Sequence, residues 1–265
     1  MTEQTIGFSL DGGIARITLQ RPQKMNSFNA QMHGELRAAL DQVQANPAAR
    51  VLVLTGAGRA FCAGQDLADE EVRLQPGQPA PDMGDLVERH YKPLVLRLQN
   101  LRVPTIAAVN GVAAGAGASL ALACDLVVAS KSAFFLQAFS KIGLSPDTGS
   151  TWFLPQRVGM ARAMGLALLA EKLPAEQAQQ WGLIWAAVED AAFAGYIDTL
   201  AAQLAQAPTK ALVRTRQAMH SSLSHTLEQH LSTEAGFMRE LGGNHDYLEG
   251  VQAFLQKRPP QFTGQ

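Results

Sequence analysis

The residues best placed to do chemistry are one carboxylate and two loops of small residues. Asp147 stands in a turn-rich stretch, residues 143–150, after an apolar run. The loops at 61–67 and 110–118 each follow a run typical of a strand. Such loops can present backbone N–H groups to a substrate oxygen. Two such donors with one acid or base form a minimal site for stabilising an enolate.

The loop at 110–118 has two interpretations. Its glycines and alanines would let a strand and a helix pack closely, or its N–H groups would face an anion at the start of the helix. A dinucleotide site is not expected, because Leu120 occupies the third glycine position and Asp125 comes too soon for a ribose contact.

Asp147 also has a structural and a functional interpretation. Residues 146–149 form a good turn, in which Asp147 could cap a helix beginning near Thr151. Its apolar surroundings would instead desolvate the carboxyl, raise its pKa and suit it to proton transfer near neutral pH. These neighbours are Phe139, Ile142, Leu144 and Trp152.

Composition limits the classes of partner. The 265 residues suit one large domain, 47% of them are hydrophobic, and 22 Lys+Arg against 23 Asp+Glu leave a net charge of -1. No broad positive field is expected to attract nucleic acid or an anionic membrane. The longest apolar stretch, 113–129, is too short and too interrupted to span a bilayer.

Localisation is predicted from the N-terminus and the cysteines. Residues 1–5 have no basic or apolar segment typical of a signal peptide. Cys62 and Cys124 have no metal-like spacing and are predicted to be buried thiols. We therefore expect a cytoplasmic protein without a metal site.

Strand and helix signals alternate in the first part of the chain. Strands are predicted at 5–10, 14–19, 51–54, 105–109, 126–129 and 133–136, and helices at 29–46, 86–101 and 120–124. Strands separated by helices indicate right-handed crossovers and a largely parallel sheet. The polar segment 68–83, with three prolines at 76, 79 and 81, is predicted to be a mobile surface loop.

After about Gly159 the pattern becomes helical. Helices are predicted at 161–169, 175–181, 191–205, 210–220, 226–241 and 245–257, with one strand at 183–188. The sequence thus predicts an α/β core over residues 1–200 and a helical region over 201–265. The apolar character of the helical region favours packing against a neighbouring subunit.

The histidines and a polar stripe carry weaker signals. His33, His220, His225, His230 and His245 fall on helical patterns and are predicted to lie on solvated faces. The stripe of Arg214, Arg216 and His220 is likewise predicted at the surface. His90, beside Tyr91 and the loop at 68–83, could line a pocket.

Taken together, several segments resemble the crotonase superfamily, the enoyl-CoA hydratase/isomerase family. The matching segments are 19–22, 26–27, 60–67, 110–117, 175–183 and 253–258, so the likeness covers essentially the whole chain. The resemblance implies a spiral of ββα units with a C-terminal helical oligomerisation region. It also implies a homotrimer or a dimer of trimers.

The resemblance further assigns site residues. The backbone N–H groups of Gln65 and Ala116 would form an oxyanion hole for the thioester oxygen of an acyl-CoA. Phe254 and Lys257 could serve the site of a neighbouring subunit. CoA is part of the substrate, so no separate cofactor is implied. The residues implied to contact CoA or the acyl group are Lys24, Met25, Ala63, Asp66, Leu67, Gly117, Phe139, Phe254 and Lys257.

Departures from the family pattern narrow the activity. Family hydratases use two glutamates, whose positions are Ser119 and Phe139 here, so water addition would lack its acid and base. Aromatic-acyl-CoA dehalogenases place a tryptophan at the position of Phe139, which counts against dehalogenation. Asp147 is retained at the position where several family isomerases carry an aspartate.

The finer resemblance is to one subfamily. Segments 139–147, 151–155, 160–169 and 260–264 resemble the ring-1,2-epoxyphenylacetyl-CoA isomerases of aerobic phenylacetate degradation. These enzymes convert the ring epoxide to oxepin-CoA, and they resemble Δ3,Δ2-enoyl-CoA isomerases. Asp147 would transfer the proton. Another enzyme of that pathway is a conceivable partner.

Two alternatives remain at the level of sequence. One is a general Δ3,Δ2-enoyl-CoA isomerase acting on unsaturated acyl-CoA. The other is a non-catalytic acyl-CoA-binding or RNA-binding member of the same fold. The net charge of -1 counts against RNA, and the presence of Asp147 counts against lost catalysis.

Overall fold

The computed structural model describes residues 4–265, so residues 1–3 of the N-terminal stretch considered above lie outside it. Its larger sheet has six strands, all pairs of neighbours being parallel except the first hairpin. In spatial order these are β1 (Ile6–Asp11), β2 (Ile14–Leu19), β3 (Val51–Gly56), β5 (Thr105–Val109), β7 (Leu126–Ser130) and β10 (Ala186–Val188).

A smaller sheet takes the strands that alternate with these along the chain. Its order is β4 (Ala60–Cys62), β6 (Val112–Ala114), β8 (Phe134–Leu136) and β9 (Leu173–Pro174). The chain therefore passes from a strand of the large sheet to one of the small sheet and then into a helical segment. Three such passes, starting at β3, β5 and β7, give the predicted spiral of ββα units.

Helices cover the sheets and form the C-terminal region. They are α1 (Ala30–Ala45), α2 (Met83–Leu86), α3 (Lys92–Gln99), α4 (Ala116–Leu122), α5 (Ser150–Leu169), α6 (Ala175–Gln180), α7 (Asp190–Ala205), α8 (Thr209–Ser221), α9 (Leu227–Gly242) and α10 (His245–Gln256). Helix α7 crosses residue 200 and packs on the large sheet, so it belongs with the sheet-bearing part of the chain. None of the helices in residues 4–265 is long and apolar enough to cross a membrane.

Strand β3 lies at the centre of the core and is buried on both faces, as its continuous apolar sequence predicts. Leu52 and Leu54 join the main core beneath α1 and α4, whereas Val51 and Val53 pack with α7 on the opposite face. Cys62 and Cys124 are both buried free thiols, which confirms that prediction.

Strands β4, β6 and β9, of at most three residues each, were missed. So short a run shows no alternation to detect. Strands β8 and β10 also have three residues but lie within longer predicted runs, at 133–136 and 183–188. The predicted helix over 86–101 is interrupted by a π-helical turn at Val87–Tyr91. The predicted surface loop at 68–83 is anchored in part, because Val72 is buried in the core; its mobility stays a prediction.

His33 was predicted on a solvated face, and that prediction is wrong. Its side chain is 1% exposed, and its ring stacks between Phe28 and His90 at centroid distances of 4.9 and 4.6 Å. Burial, followed by the proximity of His90, lowers the pKa of His33 from 6.5 to about 3. The ring is therefore neutral in the folded protein at neutral pH.

Arg216 was predicted at the surface, and that prediction is also wrong. Its side chain is buried and donates to the backbone carbonyls of Leu101 and Val103. The same guanidinium lies 3.1 Å from Asp125 Oδ2. A helical period cannot distinguish an arginine facing solvent from one that satisfies buried carbonyls.

The buried state of His33 generates a prediction about acid stability. Because its folded pKa of about 3 lies below 6.5, the unfolded chain binds a proton more readily between these values. We expect the free energy of unfolding to fall as pH decreases from about 6.5 towards 3, and His33→Phe to reduce this slope. Urea unfolding at pH 7 and pH 5 measures the effect, with the exposed His225→Gln as control. An unchanged slope in His33→Phe would contradict it.

Candidate active site

The loops that carry the predicted site follow three adjacent strands of the small sheet. Strand β4 pairs in parallel with β6, and β6 pairs in parallel with β8. The segments after these strands hold Gln65, Ala116 and Asp147. Because the carboxyl ends of parallel strands share one edge, the sheet brings the three segments together.

Glycines allow the first two loops to approach at backbone distance. A Cβ on Gly117 would overlap the carbonyl oxygen of Cys62, and one on Gly64 would lie 3.0 Å from the oxygen of Ala114 and 3.4 Å from the nitrogen of Ala116. Gly64 also has a φ of 92°, which disfavours any other residue. The close-packing interpretation of the 110–118 loop is therefore confirmed, and this packing brings Ala116 beside the other loop.

The backbone leaves N–H groups available in both loops. Helix α4 begins at Ala116, so the N–H groups of its first turn have no helical acceptor. On the other loop, Phe28 donates to Gly64 and accepts from Asp66, so it pairs with the residues on either side of Gln65. Since peptide groups alternate in direction along an extended chain, the N–H of Gln65 points away from Phe28.

The three segments enclose a cavity of about 160 Å³. Asp147 supplies the only carboxylate among the described residues that line it. The other walls are mostly apolar. The cavity is lined by Ala63, Gly64, Gln65, Leu67, Met83, Leu86, Tyr91, Gly115, Ala116, Ala138, Phe139, Ile142, Leu144 and Asp147.

The surroundings of Asp147 raise its pKa. Burial is the main cause, and it is opposed by a hydrogen bond of 2.7 Å that the Thr148 hydroxyl donates to Oδ1. The capping interpretation is not supported, because α5 begins at Ser150 with Gly149 at its cap and no side-chain capping bond. Thr148 has a φ of 53°, an unusual conformation for a β-branched residue.

The two positions at which the resemblance places hydratase glutamates hold no acid. The Ser119 hydroxyl lies in a buried network: 3.2 Å from the backbone oxygen of Asp147 and 2.5 Å from Ser150 Oγ. Ser150 in turn donates to Gln137. Phe139 is buried in the cavity wall, where its ring lies against Gly115. Ser119 thus supports the Asp147 segment from behind.

Of the predicted site residues, Ala63, Gln65, Leu67, Ala116, Phe139 and Asp147 meet at the cavity. Met25 lies behind the first loop, where its carbonyl accepts from Ala63. The Asp66 carboxylate pairs with Arg21 at 2.9 Å. Burial alone would raise the pKa of Asp66, but hydrogen bonds from Arg21 and Ala68 outweigh it, so this pKa is lowered. Gly117 faces Cys62, as described above.

The remaining predicted positions do not line this cavity. Lys24 is exposed. Phe254 is 83% exposed and lines a separate apolar cavity of about 770 Å³ beside α9 and α10. Lys257 is exposed at the end of α10. Their predicted role in the site of a neighbouring subunit stays a prediction.

Tyr91, rather than His90, lines the cavity. The His90 ring nitrogens lie 2.9 Å from Glu71 Oε2 and 3.1 Å from Arg37, outside the cavity. The Tyr91 hydroxyl donates to Gln65 Oε1 at 2.6 Å. Sequence reasoning missed Tyr91, because the π-helical turn that directs it inward shifts the ordinary helical period. Among residues 4–265, no cluster of His, Cys, Asp or Glu is suited to a metal.

Comparison with known proteins matches the chain, over almost its whole length, to a family. A family model for enoyl-CoA hydratase/isomerase matches residues 9–265. The chain is 53% identical over 255 residues to the 1,2-epoxyphenylacetyl-CoA isomerase of Escherichia coli K12, covering 96% of this chain and 97% of that one. It is 49% identical over 264 residues to a Rhodobacter capsulatus protein named "Probable enoyl-CoA hydratase", covering 100% of both. The crystal structure of an enoyl-CoA hydratase from Bacillus anthracis superimposes with a TM-score of 0.89 at 29% identity, covering 99% of this chain and 100% of that one.

The backbone contact at Gly117 generates a prediction. In Gly117→Ala the new Cβ would overlap backbone atoms of Cys62, which cannot move aside like a flexible side chain. We expect a loss of roughly 1–3 kcal/mol in the free energy of unfolding, as for an overpacked core. Gly195→Ala in α7, where a Cβ meets open space, is the control and should be neutral or stabilising. Urea unfolding compares the two, and equal stability would contradict the prediction.

Proposed function

The chain belongs to the enoyl-CoA hydratase/isomerase family, and we propose that it converts ring-1,2-epoxyphenylacetyl-CoA to oxepin-CoA. It is an isomerase that acts on acyl-CoA, as its characterised relative from Escherichia coli does. The observation that carries the epoxide as substrate is the 53% identity to the Escherichia coli isomerase. Isomerisation itself is supported by the cavity wall, where Asp147 is the only carboxylate among the described lining residues. One carboxylate can move a proton within a substrate, whereas the hydratase pattern requires two.

The proposed mechanism begins with the thioester oxygen. It would lie between the backbone N–H groups of Gln65 and Ala116, whose positions beside the cavity were described above. Two donors aimed at a developing oxyanion stabilise it by about 3–4 kcal/mol each. They therefore acidify the carbon next to the carbonyl.

Asp147 would then transfer the proton. For a 3-enoyl-CoA, the carboxylate takes a proton from C2, the electron pair of that C–H bond forms a double bond between C1 and C2, and the carbonyl π pair moves to the thioester oxygen. The same carboxyl returns the proton to C4 as the double bond forms between C2 and C3. A pKa raised by burial makes this carboxylate a stronger base than an exposed aspartate. For the epoxide, both C–O bonds are kept, and the ring C–C bond that the oxygen bridges breaks to give the seven-membered ring. Asp147 would take a proton from the CH2 group beside the carbonyl and return it to a ring carbon, while the negative charge rests on the thioester oxygen.

A general Δ3,Δ2-enoyl-CoA isomerase is the second candidate. The apolar walls formed by Met83, Leu86, Ile142 and Leu144 would accept an aliphatic acyl chain as readily as an aromatic ring. The non-catalytic alternative is less well supported, because the carboxylate lies in a cavity beside available N–H groups.

We further propose a homotrimer or a dimer of trimers in the cytoplasm, without a separate cofactor. Exposed apolar side chains on α9 and α10 support a subunit contact in this region. They include Leu231, Met238, Leu248, Phe254 and Leu255. An interaction with another enzyme of phenylacetate degradation remains a proposal from the resemblance.

The first prediction concerns the reaction. Freshly generated ring-1,2-epoxyphenylacetyl-CoA should be converted above its spontaneous rate to a product of unchanged mass and altered ultraviolet spectrum. Mass spectrometry with absorbance measures both. A gain of one water would contradict isomerisation. No conversion, with 3-enoyl-CoA still isomerised, would favour the second candidate.

The second prediction concerns the proton carrier. Asp147→Asn should keep binding of the CoA ester but lower kcat at least about 100-fold on either substrate, because the base is lost. Asp198→Asn, an exposed aspartate paired with Arg16, is the control and should keep wild-type turnover. Near-wild-type turnover of Asp147→Asn would exclude the proposed role.

The third prediction concerns pH. Thr148→Val removes the hydroxyl that stabilises the Asp147 carboxylate but keeps a β-branched side chain. The pKa of Asp147 should rise further, so the acidic limb of the kcat/KM profile should move to higher pH. Thr148→Ser should restore the wild-type limb. A profile unchanged by Thr148→Val would show that the hydroxyl does not act on the reacting carboxylate.

A further inference from the structure

We propose that Tyr91 is a positioning residue of the isomerisation site, whose hydroxyl holds the Gln65 side chain and thereby fixes the backbone N–H of Gln65. This proposal rests on the proposed function, in which that N–H is one of the two donors to the thioester oxygen. The contact that carries it is the hydrogen bond of 2.6 Å from the Tyr91 hydroxyl to Gln65 Oε1.

Packing gives the Tyr91 ring a fixed orientation. The side chain is 1% exposed. The ring meets Phe28 at 5.5 Å and His33 at 4.7 Å between centroids, both with their planes nearly perpendicular. Edge-to-face contacts of this kind are favourable for aromatic rings. Because the ring is fixed by these contacts, the hydroxyl has a fixed position at the cavity wall.

Phe28 restrains Gln65 in two ways, directly through its backbone and indirectly through its contact with Tyr91. Phe28 pairs through its backbone with the residues flanking Gln65, and its side chain packs against the Tyr91 ring. The Tyr91 hydroxyl in turn donates a hydrogen bond to the side-chain amide oxygen of Gln65. Without the hydroxyl, the Gln65 side chain would keep only its contact with His33 and could rotate more freely into the cavity that it lines.

The hydrogen bond also fixes which end of the amide faces Tyr91. With Oε1 accepting from the hydroxyl, Nε2 is left buried without a hydrogen-bond partner among the described residues. An unpaired buried donor is costly. The Gln65 side chain also interacts with His33, whose pKa it raises against the effect of burial, so Tyr91 and His33 orient the amide together.

Tyr91 is a positioning residue rather than a proton carrier. Burial raises the pKa of its hydroxyl well above its usual value, with Cys62 and Asp147 adding to the effect. The group therefore stays protonated, and its proton is directed at Gln65 Oε1. This leaves proton transfer to Asp147.

The experiment is a double-mutant cycle with Tyr91→Phe, Gln65→Leu and the double variant. Tyr91→Phe removes the hydroxyl and keeps the ring between Phe28 and His33, whereas Gln65→Leu removes the acceptor and keeps the backbone N–H. Tyr196→Phe in α7 is the matched control for loss of a hydroxyl away from the site. Steady-state kinetics use two substrates, an aliphatic 3-enoyl-CoA and the freshly generated ring epoxide.

We expect Tyr91→Phe and Gln65→Leu each to lower kcat about five- to tenfold, with KM within about twofold, on every substrate that the wild type converts; this is the range of one neutral hydrogen bond. The double variant should be no slower than the slower single variant, because the two changes break one contact. Unchanged kcat in Tyr91→Phe, or losses that multiply in the double variant, would overturn the proposal. A loss confined to the epoxide would also overturn it, since it would indicate direct contact with that substrate.

Hydrogen exchange of the free enzyme keeps the proposal testable if the proposed function fails. The peptide over residues 61–67 should exchange faster in Tyr91→Phe and in Gln65→Leu than in wild type and Tyr196→Phe. Equal exchange in all four proteins would overturn the proposal. A wild type inactive on both substrates would overturn the proposed function alone, and the exchange result would still decide whether Tyr91 positions Gln65. If Tyr91→Phe fails to fold, Gln65→Leu provides the same comparison without altering the aromatic core.

Discussion

The backbone contact between Gly117 and Cys62 constrains the rest of the site. Parallel pairing of β4 with β6 brings the two following loops to one edge, but pairing alone does not set their separation. A Cβ at residue 117 would overlap the Cys62 carbonyl, so the absence of a side chain decides how near helix α4 can start. The position of Ala116 relative to Gln65, and the width of the cavity between them, both follow from this contact.

The third segment is supported in a different way. The Asp147 segment is held by polar contacts: Ser119 reaches its backbone oxygen, and Thr148 reaches its carboxylate. Ser119 belongs to α4, so the helix that offers its N–H groups to the cavity also supports the carboxylate. Ser119, at the position where the resemblance places one hydratase glutamate, supplies a buried hydrogen bond to the backbone of the Asp147 segment.

Much of this arrangement could be predicted from the sequence, and the failures have physical causes. The inner strands of the large sheet are continuous apolar runs, most of the long helices have a helical period, and the three loops could be found because each follows an apolar run. Of the small sheet only β8 was predicted, whereas β4, β6 and β9 were too short to show a period, although the pairing of β4 with β6 and of β6 with β8 is what joins those loops. Whether Asp147 caps a helix or faces a cavity depends on where α5 begins, and a turn sequence does not settle that position. His33 and Arg216 are buried polar residues. Stacking on Phe28 stabilises His33, and hydrogen bonds to backbone carbonyls distant in sequence stabilise Arg216, and no local sequence pattern predicts such contacts.

Two charged groups of the α/β part form hydrogen bonds or ion pairs with residues of the C-terminal helical region. Arg50, at the start of β3, donates to the carbonyl of Ala207, the hydroxyl of Thr209 and the carbonyl of Phe262. Asp125, before β7, receives Arg216 from α8. During synthesis on the ribosome, both groups emerge long before these partners. Until the helical region has been synthesised, the Arg50 guanidinium therefore lacks these three acceptors, whereas the Asp125 carboxylate lacks Arg216 but can already accept from Thr105.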